Sequence, residues 1–297
     1  MELTWTMRLR IVAAGCTGAV LIGVLGWALG APDEPLGVVY LGTIGIGEAS
    51  ALAALAFLAG LTAYFASWPY GRQIGILAVP VGLAVWGLRS GSMADLLTLN
   101  APLDARLRIL SALRWEPLFW LAIVGVGVAG VLVAEKIHSG VKVAVGQPEA
   151  NSKQNKYLNA AIAVVGSVLV AQLCVRIFVQ DIRASAGQWG AVVGQPAPGQ
   201  IAFGVIMSFG VAAFAAKRFL AVSYLWPALS SSLVTAFAIS TYAKPDLLER
   251  IFTTWPSRFF TNSILSILPL QMVAFGVLGS VAGYWLAVRY SCWREHS

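Results

Sequence analysis

Glu48, Gln172, Arg176 and Gln200 form the candidate polar site of this chain, because they lie in or at the edges of long apolar stretches where polar groups are scarce. A charge at the centre of a bilayer costs roughly 2.5–3.5 kcal/mol on insertion scales, so an ionisable residue there sits near a helix end, faces a cavity or pairs. Glu48 opens the second apolar stretch and Arg176 closes the fifth, with opposite sign and at similar depth. One expectation is that they approach each other between two halves of the chain and hold them together. The simpler one is that Glu48 interacts with its own helix dipole while Arg176 snorkels to headgroups. Gln200 takes the place of Glu48 in the second half, and Gln172 lies one helical turn before Arg176. The other polar residues in these stretches are Thr62, Ser167, Ser208, Ser230, Ser231, Ser232, Thr235 and Gln271.

Catalytic chemistry is harder to assemble. The two histidines, His138 and His296, fall in segments outside the apolar stretches, so no helix offers facing ligands for a b-type haem, and a Ser/His protease has no buried base. Every aspartate lies in a loop or at its edge, which excludes paired intramembrane aspartates. No lysine sits mid-stretch for a Schiff base, and no phosphate-binding glycine loop is present. Cys16, Cys174 and Cys292 form no CxxC, hence neither a disulfide framework nor a metal site. We expect no catalytic residue, cofactor or metal, and a role that is not enzymatic.

The elements that position these residues follow from composition. The chain is 58% hydrophobic and 11% charged, against about a quarter charged in soluble domains, and its mean hydropathy is +0.77. Uncharged stretches at 11–32, 49–71, 73–88, 117–134, 157–175, 201–216, 219–243 and 259–288 imply eight transmembrane helices, each needing about 20 apolar residues. The third and sixth are short, so Arg89 and Lys217 are expected to snorkel. Arg8 and Arg10 before the first stretch resemble a secretory signal, but the stretch exceeds a usual signal core and its counterpart at 157–175 is internal. Cys16 is read as a packing residue inside helix one.

Ordered matches suggest that the four-helix unit occurs twice. Gly18 recurs as Gly166, Gly42, Gly47 and Phe57 as Gly194, Gly199 and Phe209, Asp95 as Asp246, Pro117 as Pro269 and Gly130 as Gly283. An even number of helices per unit makes the repeats parallel. The expected fold is therefore an all-α integral membrane protein, with repeats at 8–136 and 156–290 joined by a cytoplasmic linker at 137–155. Each repeat should carry an interfacial amphipathic helix between its third and fourth spans, at 92–115 and 245–263. Asn100 is expected to cap the first of these, with Leu103, Leu107, Leu110 and Leu113 on one face. Glycine- and proline-rich segments at 42–48 and 194–200 read as ordinary loops at a helix start, or as gating loops beside a pseudo-symmetric site.

Lysines and arginines at the chain ends and in alternate loops place both termini in the cytoplasm, as in a bacterial-type inner membrane. The basic balance of +7 is assigned to anionic headgroups, and a nucleic-acid role is rejected because no basic-aromatic cluster exceeds ordinary loop ends. The expected partner is the lipid bilayer. Further membrane subunits are an alternative, docked on glycine-rich helix faces such as Gly15, Gly18 and Gly23, Gly125, Gly127 and Gly130, or Gly276, Gly279 and Gly283. Two functions remain: transporter-like for a hydrophobic or amphipathic substrate, or a non-catalytic subunit or scaffold of a larger membrane complex.

Overall fold

The computed structural model describes residues 4–32, 34, 37–138, 153–185, 191–242 and 244–295. Most of the expected linker, 139–152, lies outside the described residues, as does His296. Among the described residues, twelve α-helices and a small sheet account for most of the fold. The first half contains α1 (Trp5–Gly18), α2 (Ile46–Ala66), α3 (Gly71–Ile74), α4 (Ala78–Arg89), α5 (Met93–Leu99), α6 (Leu103–Leu113) and α7 (Glu116–His138). The second contains α8 (Lys153–Phe178), α9 (Pro198–Leu220), α10 (Leu225–Tyr242), α11 (Pro245–Thr254) and α12 (Pro269–Glu295). Among the described residues, seven helical stretches are long and apolar enough to cross a membrane, and their length and composition suggest a membrane location. The seventh expected span corresponds to α10, whose apolar part, Leu225–Thr241, is shorter than the others.

Helix α1 does not end cleanly. It passes into a π-helical stretch at Ala19–Leu25 and a 3-10 turn at Gly26–Leu29. Irregular turns leave carbonyls that need donors where water is absent. Trp86 Nε1 donates to the Ile22 carbonyl at 2.7 Å and Arg89 Nη1 to that of Gly23 at 3.4 Å. The Arg89 guanidinium also lies 4.3 Å from the Trp27 ring centroid. It is engaged inside the first half rather than simply snorkelling, because the distorted helix end offers it a carbonyl and an aromatic face.

Glycine makes the tightest packing. Helix α2 lies along α7 and α9 along α12. A Cβ on Gly60 would collide with the Gly127 carbonyl, and one on Gly130 with that of Phe57. In the other pair, Gly279 is pressed against Ile206 and Gly283 against the Gly210 carbonyl. Hydrocarbon solvent provides no hydrophobic drive between helices, so close backbone approach and van der Waals contact must supply it. Glycine faces proposed for external docking are thus largely consumed within the chain. Gly18 is likewise pressed against the Ala78 backbone and Gly23 against Val85. The third spans cross over: α4 packs on α12, and α10 packs on α7.

The end of the bundle carrying α5, α6 and α11 departs from the sequence reading in three places. The segment 92–115 forms two helices instead of one. Ser92 and Asp95 make a capping box, with Ser92 Oγ accepting from Asp95 N and the Asp95 carboxylate accepting from Ser92 N, and this starts α5 at Met93. Asn100 therefore closes α5, donating from Nδ2 to Leu96 O at 2.9 Å, and Pro102 stands at the start of α6. The segment 245–263 is helical only to Thr254. Trp255 is extended before Pro256, a residue type that clashes with a preceding helical conformation. Finally, the fold is not purely helical. β1 (Arg183–Ser185), β2 (Ala191–Gly194) and β3 (Phe259–Phe260) form an antiparallel sheet in that order, with Arg183 opposite Val193 and Val193 opposite Phe260. Gly194 thus ends a strand rather than opening a re-entrant loop.

Candidate functional site

Two features lie between the halves: a set of polar staples and an apolar cleft. The staples gather where α4 ends and α5 begins. The last turn of α4 leaves the Gly87 carbonyl without its usual backbone donor, since Gly91 N donates to Gly37 O at 3.2 Å. Gln271, three residues after Leu268 at the start of α12, donates from Nε2 to the Gly87 carbonyl at 2.8 Å and accepts from Leu268 N at 3.2 Å. One buried side chain therefore completes a helix end in each half. Gln195 does similar work beside β2. Its Oε1 accepts from Ala94 N at 3.2 Å, in the first turn of α5, and its Nε2 donates to Ser266 O at 3.0 Å.

Arg106 makes the third staple. It is 7% exposed on α6. Its Nε donates to the carbonyls of Leu97 and Asn100 at 3.0 and 3.1 Å, and its Nη2 to Ser257 Oγ at 2.9 Å. Between α5, α6, α11 and β3 the same end is filled by Leu97, Leu110, Leu248 and Phe260. Polar and apolar contacts together close this end of the bundle.

The cleft lies toward the other end, where α10 stands off from α7. It encloses about 210 Å³ and is lined by Leu121, Val124, Gly125 and Val128 of α7, by Ala228 and Leu229 of α10, and by Val277 and Val281 of α12. A Cβ on Gly125 would meet nothing within 4 Å, whereas one on Gly87 of α4 would touch Gln271 and Phe275. The crossing of α4 on α12 is therefore filled, and that of α10 on α7 is open. Tyr224 stands at the cleft where α10 begins. Its ring lies 5.6 Å from that of Tyr284, edge to face, and Lys217 Nζ lies 5.3 Å from the Tyr284 centroid. Lys217 thus ends on an aromatic face. The Tyr224 phenol can donate a hydrogen bond. Arg72 pairs with Glu135, Nη1 to Oε1 at 3.3 Å.

The residues singled out from sequence occupy two places. Gln200, in the first turn of α9, donates from Nε2 to Phe178 O at 3.4 Å and Gln180 O at 3.2 Å, so it satisfies the end of α8. Arg176 is exposed in the last turn of α8, with Gln172 half-buried one turn earlier. Glu48 is exposed in the first turn of α2, and its carboxylate lies against Gly45 of its own helix start. Helix α8 packs on α9 and α10, and α2 on α1 and α7. Gln172, Arg176 and Gln200 therefore share one end of the α8–α9 pair, and Glu48 sits on another pair. Four buried hydroxyls return to their own helices, Ser208 to Gly204 O, Ser230 to Pro227 O, Ser231 to Ala228 O and Thr235 to Ser231 O, whereas buried Ser167 Oγ has no hydrogen-bond partner among the described residues.

Sequence reasoning passed over Gln195, Arg106, Glu116 and Tyr224. Glu116 is 1% exposed and accepts from Trp120 Nε1 at 2.7 Å. The spacing of four between a helix-opening Glu and a Trp was its one readable signal. For the bonds of Arg106 to Ser257 and of Gln195 to Ala94 no local signal exists, because each partner lies in the other half. Among the described residues, no group of three or more His, Cys, Asp or Glu is placed to hold a metal ion. Comparison with known protein families, with characterised proteins and with solved structures finds no match, so this site is read from its own chemistry.

Proposed function

We propose that the chain is a transporter-like membrane protein with no enzymatic role, in which two parallel four-helix repeats, 8–136 and 156–290, flank a path for a hydrophobic or amphipathic substrate. The observation that carries this reading is the cleft of about 210 Å³ between α7 of one half and α10 and α12 of the other. An apolar space with one polar rim suits an amphipathic guest better than a sugar or an ion. The repeat is supported by the matched glycine contacts of α2 on α7 and α9 on α12, and by the reciprocal crossing of the third spans. In this reading α10 also spans, as the seventh of eight helices, and both termini face the cytoplasm of a bacterial-type inner membrane.

The test is cysteine accessibility along the cleft in proteoliposomes. Gly125→Cys and Val277→Cys should react with a water-soluble thiol reagent from one side under one condition and from the other side, or not at all, under another. Identical labelling under every condition, with substrate candidates or imposed gradients, would remove transport.

A second reading, a static subunit or scaffold of a larger membrane complex, is favoured by the staples of Gln271, Gln195 and Arg106. These tie the two halves at one end and oppose rocking. Unchanging accessibility in the same experiment supports it.

A further inference from the structure

We infer that the cleft between α7, α10 and α12 is a lipid site, in which the chain of an anionic phospholipid lies along Gly125 and Leu229 and its headgroup phosphate meets Lys217 and the Tyr224 hydroxyl. It rests on the cleft reading above and adds the chemical class of the occupant.

The hydrocarbon half of the inference comes from shape and lining. An engineered cavity of about 150 Å³ lined by aliphatic and aromatic residues takes up a benzene ring, so about 210 Å³ accommodates a short run of methylenes. It is too little for a transmembrane helix, whose diameter with side chains is about 10–12 Å. The cleft is also open at the side. Leu225 and Leu229 are 49% and 39% exposed, and Gly125 presents bare backbone to it. A chain can therefore enter while the rest of the lipid stays in the bilayer.

The charge half follows from the solvent. A chain that leaves bilayer hydrocarbon for a hydrocarbon cleft gains nothing from the hydrophobic effect. Selection must come from the headgroup. The groups at the α10 end of the cleft are a cation and a hydrogen-bond donor: Lys217 lies on the Tyr284 face, and Tyr284 stands against Tyr224. Glu135 is the opposing charge and is engaged by Arg72. Lys217 is thus left as a cation beside an aromatic pair at the headgroup end of an apolar slot. A phosphate-bearing, net anionic lipid complements that arrangement, whereas a zwitterionic lipid brings its own cation to the same place.

The experiment uses the full chain in vesicles doped with spin-labelled phosphatidylglycerol or spin-labelled phosphatidylcholine, with the motionally restricted fraction read by electron paramagnetic resonance. The wild type should prefer phosphatidylglycerol. Lys217→Gln should lower that preference about fivefold, the scale of one basic residue near an anionic surface, and Lys217→Arg should retain it. Gly125→Phe, which fills open space, should release restricted lipid of both kinds. If Gly125→Phe releases none while its thermal unfolding matches wild type, the cleft holds no chain and both readings of it fail. If it releases both lipids but wild type shows no headgroup preference, or Lys217→Gln keeps it, the apolar cleft stands and the anionic assignment is overturned. Release of no lipid together with cross-linking of two copies through Gly125→Cys would make the cleft a protein contact and also overturn it.

Discussion

Replacing Gln271 by methionine, which has nearly the same shape and no amide, should destabilise the folded chain by about 2–3 kcal/mol. Gln271 is 2% exposed, at the seam of the two halves. It satisfies the Gly87 carbonyl and the Leu268 amide at once. Neither has a ready substitute. Ser90 N already donates to Trp86 O, and Gly91 N donates to Gly37 O, so the last turn of α4 leaves Gly87 with no backbone donor. Leu268 is fully buried at the first residue before α12. An unsatisfied buried group costs about 1–3 kcal/mol in water-soluble proteins. Interhelical hydrogen bonds in a membrane average about 0.6 kcal/mol and reach roughly 1.7, because the unfolded helices find other partners. Two groups orphaned together bring the sum to the stated range. The assay is reversible unfolding in mixed micelles, followed by helical ellipticity. A loss under about 0.5 kcal/mol would show that water or a neighbouring donor replaces the amide, and the staple would then not hold the halves.

Three further outcomes test the packing and the orientation. Gly127→Ala should destabilise by about 1–3 kcal/mol, because the new methyl collides with Val79 of α4, while Gly125→Ala two residues away should be nearly neutral; equal effects would refute the close approach of α4 and α7. Arg106→Lys should lose about 2 kcal/mol, since an ammonium cannot reproduce the fork that spans Leu97, Asn100 and Ser257, and retention of full thermal stability would remove the third staple. Cysteines placed at Arg108 and Arg250 should react with an impermeant reagent from the non-cytoplasmic side of oriented vesicles, and reaction only from the cytoplasmic side would invert the proposed topology.

The capping box at Ser92 shows how local signals decide local structure. Ser92-x-x-Asp95 was present in the sequence, yet Asn100 was the more conspicuous cap, and one helix starting near Ala101 followed from it. The reciprocal bonds of Ser92 and Asp95 start α5 one helix earlier, and α6 begins at Leu103. Pro256 carried similar information about the end of α11 and was outweighed by the amphipathic period around it.

Apolar stretches, the absence of haem and protease ligand patterns, the glycine stripes on α2, α7, α9 and α12, and the start and stop signals of most helices belong to the sequence itself, because each depends on neighbours within a few residues. The partners of those stripes do not. Gly60 meets Gly127 and Gly283 meets Gly210 only once helices distant in sequence lie side by side. The same holds for the three-stranded sheet, whose strands come from 183–194 and 259–260. The cleft is the extreme case. Leucine, valine and glycine on α7, α10 and α12 look alike on lipid-facing and buried surfaces, so composition cannot distinguish a filled crossing from an open one. That was decided by how closely α4 settles on α12 while α10 stands away from α7, a difference of packing geometry that no single helix encodes.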